Sequence, residues 1–217
     1  MKWSSYLIPD LTTEIRSQQN ECSMKSHPQP CFASFAWLGL VVICGCATSL
    51  QPLATKETRT DVAEIEGNWI VESSQLSACR KGSQVRITRR DVGLYEVRTT
   101  QDGFTTDWDC ESLTLAKTVF VDLFQRKKLE DDEPEHVVQI GTHAIFILNR
   151  DARHLILTGF DQSKLDRMAL DDRVAVASPR NNRNVFVADS KRLQDFFAEQ
   201  GLDCALPEPS IVLTPHQ

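Results

Sequence analysis

Short runs of alternating apolar and polar residues fill the chain between about residue 65 and residue 188. Turn signals such as Asp102-Gly103 and Asn149-Arg150-Asp151 separate these runs. Strands repeated at roughly 8–12-residue spacing with such turns are typical of an antiparallel sandwich or barrel. The predicted strands are 65–71, 84–88, 94–99, 104–111, 118–125, 137–140, 144–148, 154–160, 164–170, 173–177 and 184–188. The sequence therefore predicts a mainly β fold.

Two of these strands differ in how they are expected to be covered. Run 104–111 alternates apolar residues with the carboxylates Asp107, Asp109 and Glu111, which predicts one face in the core and one in water. Carboxylates two residues apart on a strand line up over roughly 13 Å, whereas calcium requires a curled loop of oxygen ligands. We therefore expect a solvated face there. Run 144–148 is apolar on both faces and should be covered twice.

One amphipathic helix is predicted near the C-terminus. Ser190 is placed to cap its first turn, and Gly201 is placed to end it. Apolar residues follow the cap at helical spacing: Leu193, Phe196 and Phe197. The helix should pack on the sheet or over an open end of it. Further along, 211–213 is expected to add an edge strand.

An uncharged apolar run over 32–43 lies near the N-terminus, with Lys25 upstream of it. A membrane-spanning helix needs roughly 20 residues, so this run is too short to cross a bilayer. Its length matches the apolar region of a secretory signal peptide. The alternative is an uncleaved signal anchor that uses 31–47.

The residues that end this run, Ile43-Cys44-Gly45-Cys46, resemble the lipobox of bacterial lipoproteins. The resemblance implies cleavage before Cys46 and a diacylglycerol thioether on its sulfur. Stable anchoring needs two or more acyl chains, which this modification would supply. Because Ala47 rather than Asp follows, the resemblance also implies sorting to the outer membrane of a Gram-negative envelope, facing the periplasm. The membrane is thus the first expected partner.

These features divide the chain into four segments. Residues 1–23 carry Asp10, Glu14 and Glu21, which are unusual ahead of a signal peptide, so translation is predicted to begin at Met24. Residues 1–23 are then a misassigned extension, and 24–45 are the signal peptide. Threonine-rich residues 46–63 are expected to be the lipidated cysteine and a flexible tether. A single β-rich domain is predicted over 64–217.

Composition excludes one class of function. The chain of 217 residues has a formal net charge of -6, and no run of lysine and arginine is longer than three. Nucleic-acid binding requires a basic stripe, which is missing here. Three cysteines besides Cys46 follow the signal segment, namely Cys79, Cys110 and Cys204. In an exported protein one disulfide and one leftover thiol are expected, with all three pairings open, or else three buried thiols.

The usual motifs of catalysis are missing from the sequence. It contains no Gly-x-Ser-x-Gly elbow, no phosphate-binding glycine loop and no His-Glu-x-x-His helix. His136, His143 and His154 are scattered without the spacing of a ligand pair. We therefore expect no catalytic residues, no metal and no cofactor, and a protein that is not an enzyme.

Gly67-Asn68-Trp69 at the first strand, a series of antiparallel strands and a terminal helix together resemble the lipocalin-like barrels. The resemblance implies a closed barrel with Trp69 at its narrow end; an open sandwich or an α+β sheet is the alternative. Aromatic residues on the strands are candidate lining of a pocket for a small apolar ligand: Trp69, Trp108, Phe120 and Phe146. The alternative function is a structural or interaction lipoprotein that binds an envelope protein and has no ligand cavity.

Overall fold

The computed structural model describes residues 46–76, 79–125, 141–151, 153–178 and 183–216. Its strands are β1 (Ala47–Ser49), β2 (Gly67–Ser74), β3 (Gln84–Asp91), β4 (Leu94–Gln101), β5 (Phe104–Leu115), β6 (Thr118–Gln125), β7 (His143–Arg150), β8 (Leu155–Thr158), β9 (Ala175–Ser178), β10 (Arg183–Phe186) and β11 (Ile211–Pro215). The helices are α1 (Gln162–Asp171) and α2 (Ser190–Gln200). The predicted extension over 1–23, signal peptide over 24–45 and strand over 137–140 lie outside the described residues, as does His136.

Eight strands form a closed antiparallel barrel. Around it they follow the order β2, β3, β4, β5, β6, β7, β8 and β11, and β11 returns to pair with β2. Neighbours in the barrel are therefore neighbours in sequence except at β11, which follows both helices and two further strands. The mainly β prediction is confirmed, and of the predicted barrel and sandwich the chain forms the barrel.

The last strand differs from the expectation for 211–213. These residues were expected to form an edge strand, whereas β11 pairs with β2 on one side and with β8 on the other. This correction has a simple reason, since closure of a sheet depends on pairing between distant segments and leaves no mark in the local sequence.

A side sheet branches from the barrel wall at β7. Residues 143–145 of β7 pair with β1, whereas residues 147–150 pair with β8. Beyond β1 the sheet continues through a parallel pairing to β10 and then an antiparallel pairing to β9. The barrel wall and the side sheet thus share one strand.

Two apolar clusters lie on opposite sides of this wall. The inner cluster lies inside the barrel and includes Val121 and Phe146. The outer cluster lies between the wall and the helices and includes Phe120 and Ile145. Successive residues of a strand point to opposite faces, so both faces of β6 and β7 are buried. All five residues of 144–148 are buried, which confirms the predicted double coverage.

Helix α1 occupies a segment that was expected to be a strand, so the prediction for 164–170 and the count of a single helix are wrong. The Asp161 side chain accepts hydrogen bonds from the backbone N–H groups of Ser163 and Lys164 and caps the first turn. Leu165 and Ala169, four residues apart, are the buried pair. Capping and the i, i+4 spacing favour a helix over the short alternation that the sequence also permits.

Helix α2 forms where it was predicted, with two differences in its caps. Its N-cap is Asp189, whose side chain accepts from Arg192 N, while Ser190 Oγ donates to Pro52 O at 2.6 Å. Gly201 follows the helix with a right-handed backbone, so its left-handed freedom is not used. A Cβ on Gly201 would lie 2.6 Å from Phe197 O, which explains the glycine by close approach.

Residues 50–66, called the strap, differ from the flexible tether that was predicted over 46–63. Leu53 and Ala54 are buried in the outer cluster, and Leu53 N donates to Asp122 Oδ2 at 2.7 Å. Further along, Thr60 N donates to Ser112 O at 2.9 Å. The prediction weighed the many threonines, whereas two apolar residues and a buried carboxylate hold the segment against the barrel.

Within the described part of the chain, none of the helices is both long and apolar enough to cross a membrane.

Candidate functional site

A cavity of about 100 Å³ lies inside the barrel. Val85 and Val97 border it from neighbouring strands, and Phe146, Leu155 and Leu213 border it from the other side of the barrel. These residues alternate with outward-facing ones along each strand, so the same period that forms the strands also makes the wall apolar. Among the described residues that line the cavity, only Thr99 carries a hydroxyl. The cavity therefore offers an apolar molecule contact on every side and offers water few partners.

One end of the barrel is closed by the strap. Trp69 Nε1 donates to Ile65 O at 2.9 Å, and Ile65 is buried in the inner cluster. Val62 N donates to the hydroxyl oxygen of Tyr95 at 3.0 Å, and burial raises the pKa of that hydroxyl. The indole of Trp69 and the phenol of Tyr95 thus form hydrogen bonds with backbone atoms of the strap, which lies across this end of the barrel. This end is therefore sealed.

The opposite end is the less enclosed one. Val97, Thr99, Trp108 and Leu123 border the cavity and are each half-buried. At this end the β4–β5 hairpin turns at Asp102-Gly103. The half-exposed wall residues mark where a ligand would enter, and this end is called the mouth.

The loop between β2 and β3 partly covers the mouth. Leu76 and Cys79 of this loop border the cavity. Gln101 Oε1, on the β4–β5 hairpin, accepts hydrogen bonds from Arg80 N and from Ser83 Oγ, both at 3.2 Å. One amide oxygen thus ties the loop to the neighbouring hairpin, and the position of the loop sets the width of the mouth.

Two thiols border the cavity, and both are protonated near neutral pH. Burial raises the pKa of Cys79 to about 11. Burial also raises the pKa of Cys110, and the carboxylate of Asp122 adds to the shift. Protonated thiols are weak nucleophiles, so these side chains serve here as apolar wall.

The structure contains the three disulfide candidates as free thiols and places them in two locations. Cys79 and Cys110 border the same cavity, whereas Cys204 lies in the outer cluster. Cys204 Sγ contacts Met168 Sδ at 3.2 Å. Of the three pairings left open by the sequence, the structure brings only Cys79 and Cys110 to one cavity, and the disulfide itself stays a prediction.

The four aromatic residues predicted to line a pocket have three different locations. Trp108 and Phe146 border the cavity. Trp69 belongs to the same inner cluster but lies at the sealed end. Phe120 points out of the barrel and packs in the outer cluster, 5.7 Å from the ring of Phe197. Neighbouring residues of β6 alternate between the two faces, so Val121 rather than Phe120 reaches the cavity.

Most residues that line the cavity are aliphatic, and they were not selected as candidates from the sequence. They include Val85, Ile87, Val97, Leu123 and Leu157. The signal was present in the period-two pattern of β3, where Val85 and Ile87 alternate with Gln84 and Arg86. The prediction chose aromatic residues as pocket lining because of their size, whereas alternation along each strand decides which residues face inward.

Cys46, the predicted lipidation site, is buried beside the barrel wall. It belongs to the inner cluster together with Ala144 and Phe146 of β7. It directly precedes β1, so the chain enters the sheet one residue after this sulfur. Lipidation itself stays a prediction.

A row of charged groups lies on the outer wall beneath the strap. Asp122 is buried, and its Oδ1 lies 2.9 Å from His143 Nδ1. On the neighbouring strand, Glu111 forms an ion pair with Arg59 of the strap. Burial raises the pKa of Glu111, and Arg59 offsets part of that shift. The face expected to be solvated over 107–111 is therefore covered by the strap at Glu111, and Asp107 and Asp109 are half-buried as well.

The remaining polar groups do not assemble into a metal site. Arg98 Nε donates to Asp107 Oδ1 at 2.6 Å across the β4–β5 pair, and His154 lies beside Asp151 at the far end of β7. Across the described ranges, no group of three His, Cys, Asp or Glu residues is placed to hold a metal ion.

No family model, no curated protein and no solved structure matches this chain.

Proposed function

We propose that this chain is a lipid-anchored protein of the bacterial envelope whose barrel binds a small apolar molecule. The observation that carries the proposal is the apolar cavity of about 100 Å³ inside a closed eight-stranded barrel. Barrels of about eight strands either fill their interior with side chains or hold one small ligand. Here a volume is left that side chains do not fill, and it is lined from Ile65 at the sealed end to Thr99 at the mouth.

The size and chemistry of the cavity define the class of ligand. A dry engineered cavity of about 150 Å³ lined by similar residues binds benzene or xenon. The present cavity is smaller, at about 100 Å³, so it suits a small ring or a short alkyl segment. A larger molecule would have to keep its polar part at the mouth, beside Thr99 and the loop held by Gln101.

Two features support the lipocalin-like part of the proposal. The barrel runs β2 to β8 in sequence order, and its last strand returns to the first. Gly67 and Trp69 lie on the first barrel strand, where Trp69 Nε1 donates to Ile65 O of the strap at the sealed end. The two helices precede the last strand rather than follow it, which departs from the order expected from the resemblance.

The anchor in this proposal is a diacylated Cys46, with the barrel in the periplasm beneath the outer membrane. The lipobox residues that end at Cys46 support it. Intact mass spectrometry of the protein from its bacterial host tests it: the mature chain should begin at Cys46 and carry the mass of the acyl chains. A chain that begins elsewhere, or that lacks this mass, would contradict the anchor.

Benzene titration followed by NMR tests the cavity. Wild-type protein should show saturable shifts at methyl groups of the wall, including those of Val121 and Leu213. Val121→Phe would fill the cavity and abolish the shifts, while Val92→Phe, on an exposed hairpin turn, would leave them unchanged. Because overpacking costs about 1–3 kcal/mol, Leu123→Phe at the half-exposed mouth serves as a second filling variant. Absence of saturable shifts in the folded wild type would contradict ligand binding.

A second candidate function is an envelope protein that binds another protein and carries no ligand. The favouring observation is that the cavity of about 100 Å³ is smaller than the roughly 300–1,000 Å³ of ordinary ligand pockets. Native mass spectrometry of protein purified under mild conditions separates the two candidates. A co-purified small molecule, lost in Val121→Phe, favours the binding barrel, and a stoichiometric protein partner without small molecule favours the second.

A further inference from the structure

The side sheet has one covered and one uncovered face. Helix α1 packs on β9 and β10, and Phe186 of β10 is buried in the outer cluster. Residues alternate between faces, so Val185 and Val187 lie on the other side from Phe186. Val176 of β9 pairs with Val185 and shares its face. Val187 and Val176 are 41% and 51% exposed, respectively.

The uncovered face continues onto β1. Ala47 is buried in the outer cluster, so Thr48 points to the opposite face. Leu50 follows with the same alternation, and its N–H donates to Phe186 O at 2.9 Å, which places Leu50 beside Val187. Leu50 is 37% exposed. The uncovered face of β1, β10 and β9 is thus a row of aliphatic side chains: Leu50, Val185, Val187 and Val176.

Cys46 is on this same side of β1, by alternation with Ala47 and Thr48, and its side chain is buried where this side meets Ala144 of β7. Leu50 is the fourth residue after Cys46, so the two Cα atoms are within about 13 Å of each other at the rise of a strand. The strap is fixed to the barrel from Leu53 onward, where Leu53 N donates to Asp122. No spacer is therefore left between the sulfur of Cys46 and the side sheet.

We infer that the uncovered face of the side sheet rests on the lipid bilayer when acyl chains are attached at Cys46, a step that depends on the anchor in the proposed function. The hydrocarbon half of a bilayer is about 15 Å thick, so a face within about 13 Å of the attachment point is held at the membrane surface. Aliphatic side chains there contact the interface instead of water. The barrel is then held with its wall, rather than either end, against the bilayer.

Site-specific bimane fluorescence on the lipidated full-length protein tests this orientation. The protein is expressed with its own leader, and it is reconstituted into vesicles that contain doxyl-labelled phospholipid. The background is Cys79→Ser, because the half-buried thiol of Cys79 would also react with the label. The label is placed by Val176→Cys, and the matched control is Val92→Cys, since these two valines are 51% and 52% exposed.

The lipid quencher should reduce fluorescence at residue 176 about threefold more than at residue 92, as for side chains that enter the interface. In lipid-free protein carrying Cys46→Ser, both sites should be equally accessible to a water-soluble quencher. Equal quenching by lipid at the two sites, in protein that floats with vesicles and carries the acyl mass, would overturn the orientation and leave the anchor intact.

Two further results would also overturn the inference. Protection of residue 176 in the Cys46→Ser protein would mean that a protein segment covers the face, either the apolar run 32–43 or a second copy of the chain. A mature protein without the acyl mass would contradict the anchor, and the orientation with it. The mass spectrum distinguishes this last result from the others.

Discussion

Asp122 Oδ2 accepts a hydrogen bond from Leu53 N at 2.7 Å, which joins a buried carboxylate on the barrel to the strap. The second oxygen of Asp122 lies 2.9 Å from His143 Nδ1. One side chain therefore fixes the segment that follows Cys46 and positions a histidine at the start of β7. This contact is one of several that fix the threonine-rich strap to the barrel, together with the burial of Leu53 and Ala54.

Asp122→Ala should destabilise the protein strongly. The change leaves Leu53 N without its acceptor in a buried site and removes the partner of His143, which together cost about 3 kcal/mol. Urea denaturation at neutral pH measures the loss. Asp122→Asn keeps an acceptor and should cost less, and Glu199→Ala on the exposed side of α2 is the control. A loss no larger than in the control would contradict this role.

Glu111 should make stability depend on pH. Burial raises its pKa in the folded state above the ordinary value of 4.5, so the folded protein holds this proton to higher pH than the unfolded chain does. The contribution of this group to stability is therefore fully present below about pH 4.5 and is lost as the pH rises through the folded pKa. Urea unfolding between pH 4 and pH 7 should show a flatter profile for Glu111→Gln. Parallel pH profiles for the wild type and for Glu111→Gln would contradict this effect of Glu111 on stability.

Trp69→Phe should weaken the sealed end of the barrel. The substitution keeps an aromatic ring but removes the Nε1 donor to Ile65 O, which leaves a buried carbonyl unpaired and costs about 1–2 kcal/mol. Trp108→Phe, at the half-buried mouth, is the matched control and should cost less than about 1 kcal/mol. Thermal unfolding of the two variants compares them, and equal losses would argue against a special role for Trp69.

The cysteines should differ in reactivity in a defined order. Cys79 is half-exposed, whereas Cys110 and Cys204 are buried, so only Cys79 should react with a maleimide while the Cys46→Ser protein stays folded. Its pKa of about 11 means that the rate should still be rising at pH 10. Peptide mapping after labelling identifies the site. Labelling of Cys110 or Cys204 in native protein would show that the barrel or the helix layer opens.

The strands were predictable because alternation is a local property. For 118–125 the predicted bounds equal those of β6. Barrel closure was expected only from the lipocalin-like resemblance and not from alternation, since it depends on the pairing of β11 with β2 across about 140 residues. The sequence also left open which face of β6 looks inward, because Phe120 and Val121 are both apolar and both faces are buried. For this reason the aromatic prediction combined residues from both clusters.

Helix α1 and the strap show a different limit. Residues 164–170 satisfy both a short alternation and a helical spacing, and only the cap at Asp161 and packing on the side sheet decide between them. The strap is polar by composition, and its order comes from long-range contacts such as the one between Leu53 and Asp122. The cavity could not be predicted from the local sequence either, because its volume is the space that remains after the side chains of eight strands have packed.

Diffraction from crystals pressurised with xenon tests the central claim most directly. Xenon binds in dry apolar cavities of about this size without requiring polar contacts. The account predicts one xenon site inside the barrel, in contact with Val121, Phe146 and Leu213, and its loss in Val121→Phe. An intact barrel with no xenon in its interior would mean that side chains fill the space, and would contradict the account.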